Sequence, residues 1–231
     1  MPETGARPKS VKRRAVAQTL AQLILMSLPF VAAGTVHWTR GWIWIGLSLF
    51  SLAVFLGVVR AKNPGLLRTR LGTKAPSKPF DKLFVALFIP SLLAFNVTAG
   101  LDARWGWSHL PFAWVYAGIA LHLTAVVLLS AVAATNPFLE GTVRIQSEHG
   151  HFVVTSGPYA IVRHPMYAAM VVMYMAWPLV LGSLWAYIPV ACVAILLVFR
   201  TANEDRTLLR ELPGYEDYAR RTRYRLIPGL W

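Results

Sequence analysis

Six uninterrupted apolar runs divide this chain, at about Val16–Val36, Trp42–Val59, Leu83–Gly100, Ala113–Ala134, Met166–Leu181 and Leu184–Phe199. A soluble core scatters its apolar residues at a period of two or 3.6, whereas runs of this length leave no polar face to turn toward water. At about 1.5 Å rise per residue the first four runs reach about 27–33 Å, the thickness of a bilayer's hydrocarbon core. The last two, joined by Gly182-Ser183, reach only about 24 Å and predict a short helical hairpin. Composition agrees, with 56% of residues hydrophobic and 14% charged, against about 45–50% and 25% in soluble domains. The expected fold is therefore all-α: a polytopic integral-membrane helical bundle of about six spans, the last two a short hairpin, with a cytoplasmic C-terminal helical segment.

The net charge of +13 is informative through its placement. The first tail carries Arg7, Lys9, Lys12, Arg13 and Arg14, the connector from Arg60 to Lys82 carries seven cations, Arg144 and Arg163 follow the fourth run, and seven Arg follow the sixth. Only Arg40 and Arg104 fall in the opposite loops. Lys and Arg accumulate in cytoplasmic loops, so an even number of spans with both termini cytoplasmic is expected. Attraction to anionic lipid headgroups is a secondary effect of the same charge. No basic stripe alternates with stacking aromatics outside the runs, which argues against nucleic acid as a partner. The first run exceeds the apolar core of a secretory signal and Gly34-Thr35-Val36-His37 is a poor cleavage site, so it is expected to be retained. Trp38, Trp42, Trp44, Trp105, Trp107 and Trp114 cluster near run ends and read as an aromatic belt. Cys192, the one cysteine, lies inside an apolar run, which excludes a disulfide framework and a Cys-based metal site.

Polar groups inside spans are costly and point first to structure or function. His122 and Asn96 are the two that stand out, and each is expected to hydrogen-bond a neighbouring helix. The dense polar and aromatic strings lie elsewhere, flanking the hairpin at 135–167 and 200–231. In the first, Gly157-Pro158 marks a turn, and Pro165 suits the first position of a helix, where its missing N–H costs nothing. His164 then sits at the cap, and free amides there, with Arg163 and His164, predict an anion site for a carboxylate or phosphate. In the second, Arg200 and Glu204 share a helical face if the sixth run continues as a helix. Asp205 adds a second carboxylate, but no His or Cys stands at metal-ligand spacing, so no metal is expected. Pro213-Gly214 ends that helix, and Tyr215 and Tyr218 are expected to fold back onto the membrane surface.

The ordered combination of His151-Phe-Val-Val-Thr-Ser-Gly-Pro-Tyr159, Arg163-His-Pro-Met-Tyr167, a hydrophobic hairpin, Arg200, Glu204-Asp205, Gly214-Tyr-Glu-Asp-Tyr and Arg225-Leu-Ile-Pro228 resembles the isoprenylcysteine carboxyl methyltransferase family. Related membrane phospholipid methyltransferases share parts of it. The resemblance divides the chain into a membrane region of four spans at 1–134 and a methyltransferase core at 135–231. It implies S-adenosylmethionine as methyl donor, bound in a cytoplasm-facing pocket of the last two helices and the C-terminal segment. By motif position, Gln146, His151, Phe152, Val153, Val154, Tyr159, His164, Pro165, Met166 and Tyr167 would line the donor site, with Glu204 in contact with it. Arg200 would hold the carboxylate of a lipophilic or prenylated acceptor. Two departures from the family pattern stand out: Asp205 replaces a second Glu, and the spacer from Gln146 to His151 is short.

A non-enzymatic membrane scaffold or transporter-like protein would leave the clustered polar strings without a purpose, and the spans lack the buried charge of an ion pathway. The closer alternative is a membrane NADPH-dependent sterol or steroid reductase, whose C-terminal element is similar. The acidic pair Glu204-Asp205 separates the two, since it suits a cationic amino-acid-bearing ligand and repels one rich in phosphate.

Overall fold

The computed structural model describes residues 8–66, 78–139, 143–146 and 150–231. Arg7, most of the basic connector (with Arg68, Arg70, Lys74 and Pro76) and Ser147, Glu148 and His149 of the first string lie outside the described residues.

The described elements are helical throughout: α1 (Pro8–Ala33), α2 (Thr39–Lys62), α3 (Pro79–Trp105), α4 (Trp114–Thr135), a 3-10 turn (Gly157–Ala160), α5 (Pro165–Leu181), α6 (Tyr187–Glu211) and α7 (Tyr215–Arg221). Helices α2, α3, α4 and α6 are long and apolar enough to cross a membrane, while the apolar part of α1 (Thr19–Ala33) and α5 are shorter. No more than a third of the apolar window of any of the four lies inside the protein. Val31, Val127 and Ile195 are each about two-thirds exposed or more, a surface that fits lipid and not water.

Local sequence explains the helix ends. Pro79 lies in the first turn of α3 with Asp81 beside it, and Arg104 lies in the last turn before Gly106 at φ 64, each charge at the end of the macrodipole that favours it. Pro165 opens α5 as expected, and Gly182 at φ 79 closes it with its N–H on Pro178 O.

The sixth apolar run ends at Phe199, and the helix that carries it continues for three further turns to Glu211, just before Pro213-Gly214. Eight of the twelve residues from Arg200 to Glu211 are good helix formers, so the apolar run ends where the surroundings change and not where the backbone does. The last two helices are thus unequal, at 17 and 25 residues.

Helix α4 packs along α5, α1 along α3, α3 along α6 and α2 along α4. Two of these seams are backbone-close. A Cβ on Gly118 of α4 would meet Val180 N of α5 at 2.9 Å, and one on Gly100 of α3 would meet Pro29 O of α1 at 2.2 Å, the small-residue approach by which membrane helices gain packing.

His122 joins three helices. The Trp177 indole N–H donates to its Nδ1 at 3.2 Å, and its Nε2 lies 2.6 Å from the Ser51 hydroxyl, which itself donates to Leu47 O. An indole only donates, so Nδ1 accepts, Nε2 carries the hydrogen and the ring is neutral. Asn96 behaves differently from its expectation. It donates within its own helix to Leu92 O at 2.7 Å, and its buried Oδ1 has no hydrogen-bond partner among the described residues. The loop after α3 is tied to the hairpin turn by Asp102, which accepts from the Ser108 N–H and from the hydroxyls of Ser108 and Ser183.

Candidate functional site

At the end of the bundle that carries most of the cations, the segments on either side of the hairpin enclose a hollow with about 790 Å³ of empty space, open mouth included. Its walls come from the loop 136–154, the 3-10 turn, the start of α5, the polar end of α6 and helix α7.

Asp205 organises this end. It is fully buried and accepts five hydrogen bonds from four side chains. Arg163 forks onto it, Nε to Oδ1 at 2.8 Å and Nη2 to Oδ2 at 2.9 Å, and Arg225 Nε reaches Oδ2 at 2.8 Å. Nε2 of His164 donates to Oδ1 at 3.1 Å and the Tyr215 hydroxyl at 2.9 Å. Bidentate charge-assisted bonds of this kind fix orientation as well as charge. Burial alone would loosen the Arg163 proton, but the hydrogen bonds and charge of Asp205 outweigh it and hold its pKa above the ordinary value.

This arrangement changes the anion site expected at the start of α5. The Arg163 charge is matched by Asp205. The amides of Arg163 and His164, just before the helix, donate to Tyr224 O and Arg225 O of the C-terminal segment, each at 2.9 Å. The C-terminal segment is thereby pinned to the residues that lead into α5.

Among the described residues, Glu204 is the carboxylate in the wall of the hollow. Tyr167 donates to its Oε2 at 2.5 Å, and Oε1 lies 4.0 Å from His164 Nδ1. Arg200 stands behind this pair. Its Nε donates to Tyr167 Oη at 2.9 Å, its Nη2 lies 2.9 Å from Asp81 Oδ1 of α3, and the Phe84 ring centre lies 4.5 Å from the guanidinium.

The tyrosines form the floor. Tyr159 accepts from Asn136 Nδ2 at 2.7 Å, and Tyr218 donates to Tyr159 O at 2.7 Å. Burial raises the Tyr159 and Tyr215 phenols well above their ordinary range. Burial also pushes Tyr218 up to about 12, against the opposing pull of Arg163. All three remain neutral donors near pH 7. Tyr215 and Tyr218, expected on the membrane surface, are instead 3% and 2% exposed, because α7 turns inward after Gly214 at φ 80.

Of the residues expected at the site, His151, Phe152, Val153, Val154, Tyr159, His164, Met166, Tyr167 and Glu204 line the hollow. Gln146, Pro165 and Arg200 do not. Gln146 is buried and braces the loop, donating from Nε2 to Phe138 O at 2.8 Å and from its backbone N–H to His151 Nδ1 at 3.3 Å. Pro165 shapes the helix start. The sequence reading missed Asn136, Phe138 and Asp81. Asn136 is signalled by an amide placed just after an apolar helix, where it caps Phe138 N–H through Oδ1. Phe138 stacks near His151, ring centres 4.4 Å apart. Nothing in sequence spacing pairs Asp81 with Arg200. Among the described residues no group of three or more His, Cys, Asp or Glu is placed to hold a metal.

Residues 116–210 match the model of the Isoprenylcysteine carboxyl methyltransferase (ICMT) family. Among curated proteins, the Delta(14)-sterol reductase of Mus musculus is 32% identical over 42% of this chain, and that of Schizosaccharomyces pombe (strain 972 / ATCC 24843) is 33% identical over 42%. The nickel-cobalt-cadmium resistance protein NccN of Alcaligenes xylosoxydans xylosoxydans is 32% identical over 47%. These matches cover 24%, 23% and 52% of the three relatives' own lengths, respectively.

Proposed function

We propose, from the premise that residues 116–210 are an ICMT-family region, that this protein uses S-adenosylmethionine to methylate a lipophilic acceptor, a carboxylate such as that of an isoprenylcysteine. The observation that carries the reading is that His164 and Glu204, from opposite sides of the hairpin, line one hollow at the basic end of an apolar bundle. The cation distribution supports a cytoplasmic side for that hollow.

The wall chemistry fits the donor. Glu204, kept as an acceptor by Tyr167, suits an ammonium group or ribose hydroxyls. Phe138, Phe152 and Leu208 offer an apolar and aromatic face for adenine. Bound S-adenosylmethionine supplies a methyl group on a sulfonium, open to in-line displacement by an oxygen nucleophile. An acceptor carboxylate is ionised at pH 7 and needs no general base. The protein's contribution is therefore position and exclusion of water. Arg200, one helical turn from Glu204, is assigned to the acceptor's carboxylate, sharing its guanidinium with Asp81.

The sterol reductase matches favour a second reading, an NADPH-dependent reductase. Against it, Arg163 and Arg225 are both drawn onto Asp205, which leaves these cations poorly placed for phosphates. Calorimetry on the detergent-solubilised protein with S-adenosylhomocysteine beside NADPH separates the two. Binding of the first alone is expected, and binding of the second alone would reverse the assignment.

A further inference from the structure

We infer that the end of the bundle opposite the hollow holds one phospholipid headgroup, its phosphate taken by Arg40 in a polar recess beside the hairpin turn. This site is independent of the methyl donor and acceptor. Arg40 stands in the first turn of α2. Its Nη1 donates at 3.2 Å to Leu179 O in the last turn of α5, where a helix leaves its carbonyls without partners of its own, and its Nη2 donates at 2.6 Å to Leu110 O ahead of α4. Gly182 makes room for the guanidinium, since a Cβ there would stand 2.5 Å from Nη1. The rest of the fork has no hydrogen-bond acceptor and no ion-pair partner among the described residues.

The recess has about 940 Å³ of empty space, open mouth included, and His37, Thr39, Ser108 and His109 share its wall with Arg40. Asp102 also lines it, but is 2% exposed, and its oxygens already accept from the Ser108 N–H and the Ser108 and Ser183 hydroxyls. What faces the space is a half-buried cation without a counter-ion, flanked by two imidazoles and a hydroxyl that can donate to an anion. Depth selects that anion. Trp42, Trp105, Trp107, Trp114 and Trp185 are each about half exposed, and all stand at this end, near the starts of α2, α4 and α6 and the end of α3. Indoles in such a belt mark the headgroup level of a leaflet, where lipid phosphate is at hand, and a guanidinium fork matches phosphate oxygens two at a time. Of the Lys and Arg residues, Arg40 and Arg104 fall at this end, so the site is a single recess and not a basic face.

The test is calorimetry on the full chain in dodecyl maltoside, titrated with dioctanoyl phosphatidylglycerol, dioctanoylglycerol or inorganic phosphate. The phospholipid is expected to bind, and the other two to bind more weakly by about tenfold or more, the second for want of an anion and the third for want of tails. Arg40→Gln should weaken phospholipid binding about tenfold, the scale for losing a charged hydrogen-bonding partner. Because Arg40 also ties α2 to the hairpin, size exclusion in the same detergent checks that this variant folds. His37→Ala with His109→Ala, which cuts no tether, should weaken binding about fivefold and decides the matter if Arg40→Gln does not fold. Arg220→Gln with Arg221→Gln, at the basic end, should leave the affinity as it is. Parent-like affinity in the deciding variant, or no binding by the parent, overturns the inference. So does a loss at Arg220 and Arg221 as large as that at Arg40, which would mark diffuse attraction to positive charge. Inorganic phosphate or dioctanoylglycerol binding as tightly as the phospholipid overturns it as well, the first by making the ligand a soluble anion and the second by making it a tail.

Discussion

At one end of the α5–α6 hairpin Asp102 accepts from two serine hydroxyls and a backbone N–H; at the other Asp205 accepts from two guanidinium groups, an imidazole and a phenol. Both carboxylates are buried. The first draws on donors from the loop that follows its own helix and from the hairpin turn, so it closes a corner. The second gathers the segment before α5, helix α7 and the C-terminal stretch onto α6, so it builds a wall. The difference teaches that neutral donors suffice to stop a turn from opening. Holding several distant segments around an empty volume takes charge, because each arriving cation must be matched once it leaves water.

The sharpest way to break this comparison is Asp205→Ala. It strands Arg163 beside Arg225 in a buried setting, and a cost of about 3–5 kcal/mol is expected, with loss of the folded peak in detergent size exclusion. If Asp205→Ala unfolds no more readily than Asp102→Ala, the two ends are equivalent and the distinction falls.

Glu204→Gln comes next. It keeps shape and removes charge, and donor affinity should fall by about 1.5–3 kcal/mol while the unfolding temperature moves little, as calorimetry and thermal scans together would show. Asp102→Ala leaves the Ser108 and Ser183 hydroxyls without their acceptor at a cost of about 1–3 kcal/mol in stability. Donor binding should survive it, and a lost calorimetric signal in a folded Asp102→Ala protein would join the two ends into one functional unit.

Much of the scaffold was legible in the residues because hydropathy reports burial in lipid directly. The runs beginning at Trp42, Leu83 and Ala113 fall on α2, α3 and α4, and Pro165 opens α5 as its chemistry requires. Hydropathy lost α6 at Arg200, since it follows the medium and not the backbone. The site was legible where a motif names residue types close together, as from His151 to Tyr167. It was illegible where an ion pair joins distant segments. Arg163 reads as a free cation until Asp205 is seen facing it, and Asp81 reads as a lone charge in a basic connector. Spacing along a chain carries no information on which of several cations a buried carboxylate will choose.

The smallest effect expected is at Tyr218. Tyr218→Phe removes the bond to Tyr159 O and should cost about 0.5–1.5 kcal/mol near neutral pH. Burial raises this phenol from an ordinary value near 10 to about 12. A folded-state value above the unfolded one means that the stabilisation is complete below pH 10 and lost as pH climbs toward 12. The parent and Tyr218→Phe should therefore converge in unfolding temperature over that interval, and a constant gap would show that the phenol is not shielded.

The contact of Gly118 with α5 has a mechanical corollary. Helices that meet backbone to backbone slide or separate only by giving up their whole seam at once, so α4 and α5 behave as a single plank. A greasy molecule diffusing in the plane of the bilayer finds no doorway along that edge. Its route inward must run past some other helix, and a bulky residue at position 118 would pry the plank apart without creating a passage.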